Sequence, residues 1–143
     1  MSTKIKKGIY RNIKFDETSE LLKDNIFKTY AKLLCFSAYV GLIYKKNKTL
    51  KTSDRVNDPV SERVFENTSL LDHIYTVAYI YSDNPRILDD QTSCFEIFES
   101  LANGGIEYIH GLLQDNPTDT DGVEVLMTMV KKIHSKNLKE ISI

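Results

Sequence analysis

Ile26-Phe27-Lys28-Thr29-Tyr30-Ala31-Lys32-Leu33-Leu34-Cys35-Phe36-Ser37-Ala38-Tyr39-Val40-Gly41 is the stretch on which the fold turns. Ile26, Phe27, Tyr30, Leu33, Leu34, Ala38 and Val40 recur at three- and four-residue spacing, and Lys28 and Lys32 fall on another face. That is the period of a helix that buries one side. The spacing predicts a helix over 26–40, ended or bent by Gly41 and followed by a lysine-rich loop. Toward the N-terminus, Asp16, Glu17, Thr18 and Ser19 precede Leu21 and Leu22, the start signal of a short helix. Residues 1–15 read as a basic extended arm, and residues 16–143 as one helical domain.

The same period continues toward the C-terminus. Pro59 suits the first turn of a short helix through Phe65. Leu70, Leu71, Ile74, Val77, Ala78 and Tyr81 predict a helix over 69–81, with Ser69 and Asp72 resembling a capping box and Ser82-Asp83-Asn84-Pro85 ending it. Ser93 and Glu96 have capping-box spacing ahead of Phe95, Ile97, Phe98, Leu101, Ile106, Ile109, Leu112 and Leu113. A last helix over 122–136 is expected to turn Val123, Leu126, Met127, Val130 and Ile133 inward, with its lysines near the negative end. No β-hairpin signal or internal repeat is visible. The fold class is all-α, a compact single-domain bundle of five or six helices.

At 143 residues, 41% hydrophobic and 27% charged, the chain is long enough to bury a core of its own. These fractions disfavour disordered, collagen-like and coiled-coil classes. The longest predominantly apolar run, Leu33 to Tyr44, falls short of the roughly 20 residues that span a bilayer. Lys4, Lys6 and Lys7 lead into Arg11 without the apolar core of a signal peptide. No membrane association is expected, and the cytoplasm is the expected location. Cys35 and Cys94 sit among apolar residues and read as buried, reduced thiols. The net charge of -1 conceals a division: residues 1–63 carry 14 Lys and Arg against seven Asp and Glu, whereas residues 64–130 hold Arg86 against 12 acids. Such asymmetry marks separate faces for a polyanion and a basic partner, or two halves that attract each other.

Few groupings suit catalysis. His73, His110 and His134 lie on different predicted helices, and no His-x-x-x-His, Cys-x-x-Cys or Glu-x-x-His pair occurs. Glu96 and Glu99 share a helical face with the look of a solvated surface, and the acidic loop 115–122 lacks the ligand order of a calcium loop. Phosphate-binding glycine loops are missing, and no serine or cysteine has a recognisable base. No catalytic residue, metal ligand or cofactor is therefore expected. Lys45, Lys46, Lys48, Lys51 and Arg55 form a basic segment with Asp54 as its only acid. It reads either as a phosphate-binding surface or as a solvated loop. The stacking candidates beside it are Tyr10 and Tyr44. Gly104 and Gly105 interrupt a helical pattern at about 1 kcal/mol each, which points to close packing there or to a kink exposing backbone N–H groups.

The segments singled out above also carry a resemblance. Ile26-Phe27-Lys28-Thr29-Tyr30, Leu34-Cys35-Phe36-Ser37-Ala38 and Gly41 form one signature; Ile97-Phe98-Glu99 and Ala102-Asn103-Gly104-Gly105-Ile106-Glu107 form a second; Ser61-Glu62-Arg63-Val64-Phe65 lies between them. Over roughly residues 24–113 the chain resembles the DNA phosphorothioation-associated (Dnd system-associated) protein 4 family. Ser37 stands where that family usually has Ala, and Leu101 where it usually has Tyr. The resemblance implies a small bacterial accessory protein of systems that replace a non-bridging phosphate oxygen of DNA with sulfur or that restrict unmarked DNA. It supplies no catalytic residues and no cofactor. It singles out Phe27, Thr29, Tyr30, Gly41, Phe98, Glu99, Asn103, Gly104 and Gly105 as fold or interface positions.

The expected function is thus a non-catalytic accessory role in such a modification or anti-phage defence system. DNA backbone would be bound through Lys45, Lys46, Lys48, Lys51 and Arg55, another system subunit through the acidic half, and homo-oligomers would add avidity. The alternatives are a purely protein-binding adaptor or oligomeric scaffold without DNA contact and, third, a small metal-dependent nuclease.

Overall fold

The computed structural model describes residues 8–141, with side chains through Ser135. Lys4, Lys6 and Lys7 of the expected arm lie outside the described residues. The chain enters as a short strand, β1 (Gly8–Ile9), and turns through Ile13–Phe15 into α1 (Asp16–Leu22). Then come α2 (Tyr30–Tyr44), β2 (Val60–Ser61), α3 (Glu62–Asn67), α4 (Leu71–Ser82), α5 (Gln91–Gln114) and α6 (Val123–Ile141). Among the described residues, six helices therefore build the expected all-α domain.

α2 is apolar on nearly every side, and such a helix belongs in the centre. Leu34, Cys35 and Ala38 join Ile74, Val77, Phe95, Phe98 and Leu101 in one core cluster. Leu33 and Val40 join Leu22, Ile109, Leu126 and Met129 in a second. The long α5 crosses α2, and glycines set how close the two backbones come. A Cβ on Gly105 would overlap the Ser37 carbonyl oxygen, and one on Gly41 would overlap that of Leu101. Close packing of the two helices is therefore what Gly105 of α5 and Gly41 of α2 serve.

Several local expectations are corrected. α2 begins at Tyr30 and not at Ile26, because residues Lys23–Phe27 form a wide π-type turn closed by Lys28 in the left-handed region (φ 70°). Thr29 is then extended, and its hydroxyl accepts from the Lys32 N–H at 3.2 Å, so the helix is capped there. The segments on either side of this break, Ile13–Phe27 and Tyr30–Tyr44, meet at 105°. Gly41 does not end α2, which runs to Tyr44 and stops at Lys45 (φ 58°). Ser69 is left-handed (φ 62°) and makes no capping box, since α4 starts at Leu71. Asp90 caps α5 by accepting from the Ser93 N–H (3.0 Å) and hydroxyl (2.7 Å), which places Ser93 inside the helix. Pro59 precedes β2, and Ser61 caps α3.

A strand pair that no sequence signal foretold joins the ends of the basic region. β1 runs antiparallel to β2, with Gly8 opposite Ser61 and Ile9 opposite Val60, and an isolated bridge links Asn12 to Arg55. Two residues per strand leave no alternation to read.

Helix α6 is also rotated from its expected register. Val125, Leu126 and Met129 are buried, while Val123, Met127 and Val130 are 40%, 54% and 50% exposed. The acidic loop before it supplies its caps: Asp121 accepts from the Val123 N–H (3.1 Å), and Asp119 from the Val125 N–H (2.8 Å).

Candidate functional site

The lysine-rich segment leaves α2 at a left-handed Lys45, whose conformation lets the Lys46 N–H reach back to the Gly41 carbonyl at 2.8 Å. The chain then lies across α5. Gly104 sits under the Lys46–Asn47 peptide, where a Cβ would overlap the Lys46 carbonyl oxygen. The Lys48 N–H donates to the Ser100 carbonyl at 2.9 Å. Buried Leu50 and Val56 anchor the far side, and the Lys51 N–H donates to the Asp54 carboxylate at 3.0 Å. The backbone is therefore braced at both ends and in the middle.

Lys45, Lys46, Lys48 and Lys51 are all exposed. The ion pairs among the described residues are Arg11–Asp16 and Lys23–Asp24, so none of these four lysines is neutralised by a carboxylate there. The Lys46 ammonium lies 5.7 Å from the Tyr108 ring centroid, and Tyr108 stacks on Tyr44 at 4.6 Å. Beside this cluster is a groove of about 410 Å³ lined by Lys46, Asn47, Glu107, Tyr108 and Asp115, among others. Arg55 differs from the lysines. It is half-buried with its guanidinium 4.5 Å over the Tyr10 ring, and its Nε is buried without a hydrogen-bond partner. Tyr10 and Tyr44, the two stacking candidates, thus each pack against a neighbouring side chain.

Glu99 and Asn103, one turn apart on α5, hold the entering chain. The Glu99 carboxylate accepts from the Tyr10 N–H at 2.8 Å. Asn103 is fully buried; its Oδ1 accepts from the Asn12 N–H, and its Nδ2 donates to the carbonyls of Tyr10 and Glu99, each at 2.9 Å. One amide side chain thus pairs with the backbone of the arm as a neighbouring strand would. The Arg11 carbonyl accepts from the Val56 N–H at 3.0 Å on the other side. Burial pushes the Glu99 carboxyl above its ordinary range, while the Tyr10 N–H and the positive charge of Arg55 pull it down.

The other motif positions also serve packing. Phe27 packs on Phe36 with centroids 5.1 Å apart, and Phe98 meets Phe65 edge-on at 5.8 Å. The Tyr30 ring carries the Arg11 guanidinium at 3.8 Å and the Lys23 ammonium at 4.9 Å. Ser37 is fully buried, and its hydroxyl has no partner. Sequence reasoning missed Tyr108, Ser100 and Asn12 as members of this region. Only their apolar or polar placement on α5 and the arm hinted at them.

The histidines lie apart. His73 Nδ1 meets the Tyr39 hydroxyl at 2.9 Å, and His110 Nδ1 meets the Thr18 hydroxyl at 2.7 Å, the latter tying α1 to α5. No group of three His, Cys, Asp or Glu side chains suited to a metal ion occurs among the described residues. Burial pushes the Cys35 thiol up to about 12 and raises that of Cys94, which donates to the Ile87 carbonyl at 3.1 Å. Neither thiol is set up as a nucleophile.

Neither curated proteins nor solved structures give a match to this chain. The model of one protein family, described as DNA sulphur modification system-associated protein 4, matches residues 11–142. The match takes in both signatures, the basic loop, Arg11 and Asn12 of the docked arm, and the helix after the acidic loop. It spans nearly the whole chain and extends past the 24–113 segment that carries the resemblance. The chain belongs to the DNA sulphur modification system-associated protein 4 family.

Proposed function

We propose that this accessory protein rests on duplex DNA through backbone phosphates, using Lys45, Lys46, Lys48 and Lys51, and does no chemistry itself. One observation carries the reading: four exposed lysines with no carboxylate partner among the described residues sit on a braced backbone. A braced loop loses little conformational freedom on binding, so more of the interaction free energy appears as affinity. Phosphate contacts of this kind orient a protein on the duplex without reading sequence, the role suited to an accessory subunit. Arg55, held over Tyr10, contributes to the positive field and not to direct contact.

Fluorescence anisotropy with duplex DNA across a salt series tests this. Four phosphate contacts predict a log–log salt slope of roughly -3 to -4. Changing all four lysines to Glu should abolish binding. Absence of binding by the wild type at low salt would remove DNA from the reading.

A second surface supports contact with another subunit of the system. Tyr79, Ile80, Tyr81 and Leu88 are 41–52% exposed at the end of α4 and the turn after it, among exposed Asp83, Asp89 and Asp90. Apolar side chains flanked by three acids and the single base Arg86 suit a basic, amphipathic partner segment. Charge reversal of Asp83 and Asp89, which leaves the Asp90 cap of α5 intact, should weaken subunit pull-down in a salt-dependent way, and an unchanged pull-down would exclude this patch.

A further inference from the structure

We propose that α6 is a self-association surface, through which two copies of this chain pair antiparallel about a two-fold axis near Met127. Val123, Met127 and Val130 follow i, i+4, i+7 spacing and form one stripe along the helix. They are large, apolar and 40–54% exposed, while a different set, Val125, Leu126 and Met129, faces the core. The helix therefore carries a second apolar stripe that nothing among the described residues covers.

The charges beside the stripe identify its occupant. Glu124 and Lys131 are seven residues apart, so they lie on the same edge of the stripe at opposite ends. Both are exposed, and neither takes part in an ion pair among the described residues. In an antiparallel pair centred on Met127, Val123 meets Val130 of the second copy and Met127 meets its own equivalent. Glu124 of each copy then meets Lys131 of the other. A parallel pair would put this edge of the two copies on opposite sides of the interface, where Glu124 meets no Lys131. The charge order thus selects the antiparallel arrangement, which also aligns the two helix dipoles favourably. A two-fold interface of this kind is self-complementary by construction. This inference does not depend on DNA contact, because the lysine loop and α6 are separate segments.

Sedimentation equilibrium of the full chain over about 1 to 100 µM tests the proposal, since a surface this small acts in the micromolar range. The expected mass rises with concentration toward twice the 16.4 kDa of the chain. Met127→Glu, at a position outside the core, should weaken association by about tenfold or more while circular dichroism stays unchanged. Glu124→Lys and Lys131→Glu should each weaken it, and the two together should restore it, because the swapped charges still meet their opposites. A chain that stays monomeric throughout, a dimer indifferent to Met127→Glu, or a double swap no better than the single changes would each overturn the proposal. A variant with the four loop lysines changed to Glu should associate like the wild type, which separates failure of this inference from failure of the DNA reading.

Discussion

Replacing Gly105 with Ala sets two effects of opposite sign against each other. Helix propensity alone favours Ala over Gly inside a helix by about 1 kcal/mol. Against it, the new Cβ would overlap the Ser37 carbonyl oxygen, a backbone atom of α2 that cannot swing aside as a side-chain tip would. Relief requires moving the two central helices apart, and overpacking of a well-filled interior costs about 3 kcal/mol at the upper end of its usual range. The net expectation is a loss of about 2 kcal/mol, or a melting temperature lower by roughly 6–8 °C for a chain of this size. Gly111 is the internal control, because it lies on the same helix and a Cβ there meets nothing within 4 Å. Gly111→Ala should gain up to about 1 kcal/mol. Gly41→Ala separates the same pair of helices, so its loss and that of Gly105→Ala should sum to more than the double variant shows. Urea unfolding followed by far-UV circular dichroism measures all four variants on one scale. A Gly105→Ala protein as stable as wild type, or shifted in the same direction as Gly111→Ala, would refute the close backbone approach.

Further expectations follow from the buried polar groups. Asn103→Ala strips hydrogen bonds from the Asn12 N–H and the Tyr10 carbonyl and should destabilise by roughly 2–4 kcal/mol; unchanged amide exchange at Tyr10 and Asn12 would show that the arm is held otherwise. Ser37→Ala removes a buried hydroxyl without a partner and should stabilise by about 1 kcal/mol, read as a higher urea midpoint, whereas a loss would mean that the hydroxyl is satisfied. Glu99 binds its proton more tightly in the folded chain than in the unfolded one, so its contribution is full at low pH and falls as pH rises from 4.5 through the raised value. Glu99→Gln keeps an acceptor for the Tyr10 N–H and cannot ionise, so it should gain on wild type across that window; a difference independent of pH would contradict the assignment. Cys35 and Cys94 should resist a thiol-specific disulfide reagent at about pH 8 until the protein unfolds, and fast labelling of the native chain would contradict their burial.

The helices were legible where a single apolar stripe governs, as in α4 and α5. They were misread where two stripes coexist. In α6, Val123, Met127 and Val130 fit the inward period as well as Leu126 does, and only the packing of Leu126 and Met129 in the second cluster decides the register. The break at Lys28 was illegible, because a left-handed lysine has no local signature. The lysine loop could be read from composition, but its bracing depends on Gly104 and Ser100, more than 50 residues away in sequence. The role of Asn103 was hidden for the same reason. An asparagine side chain that stands in for a strand edge declares itself only once a strand lies beside it.

That docking has a consequence for how the chain is made. Tyr10 and Asn12 take their hydrogen bonds from residues 89 to 93 positions later. During synthesis this segment emerges before its partners on α5, which follow several seconds later at the usual pace of about 5–20 residues per second. For that interval its strand N–H and carbonyl groups face water, and the pairing closes only after α5 has formed. A segment made well before its partners is therefore among the last to settle, and the arm acts as the closing latch of the fold.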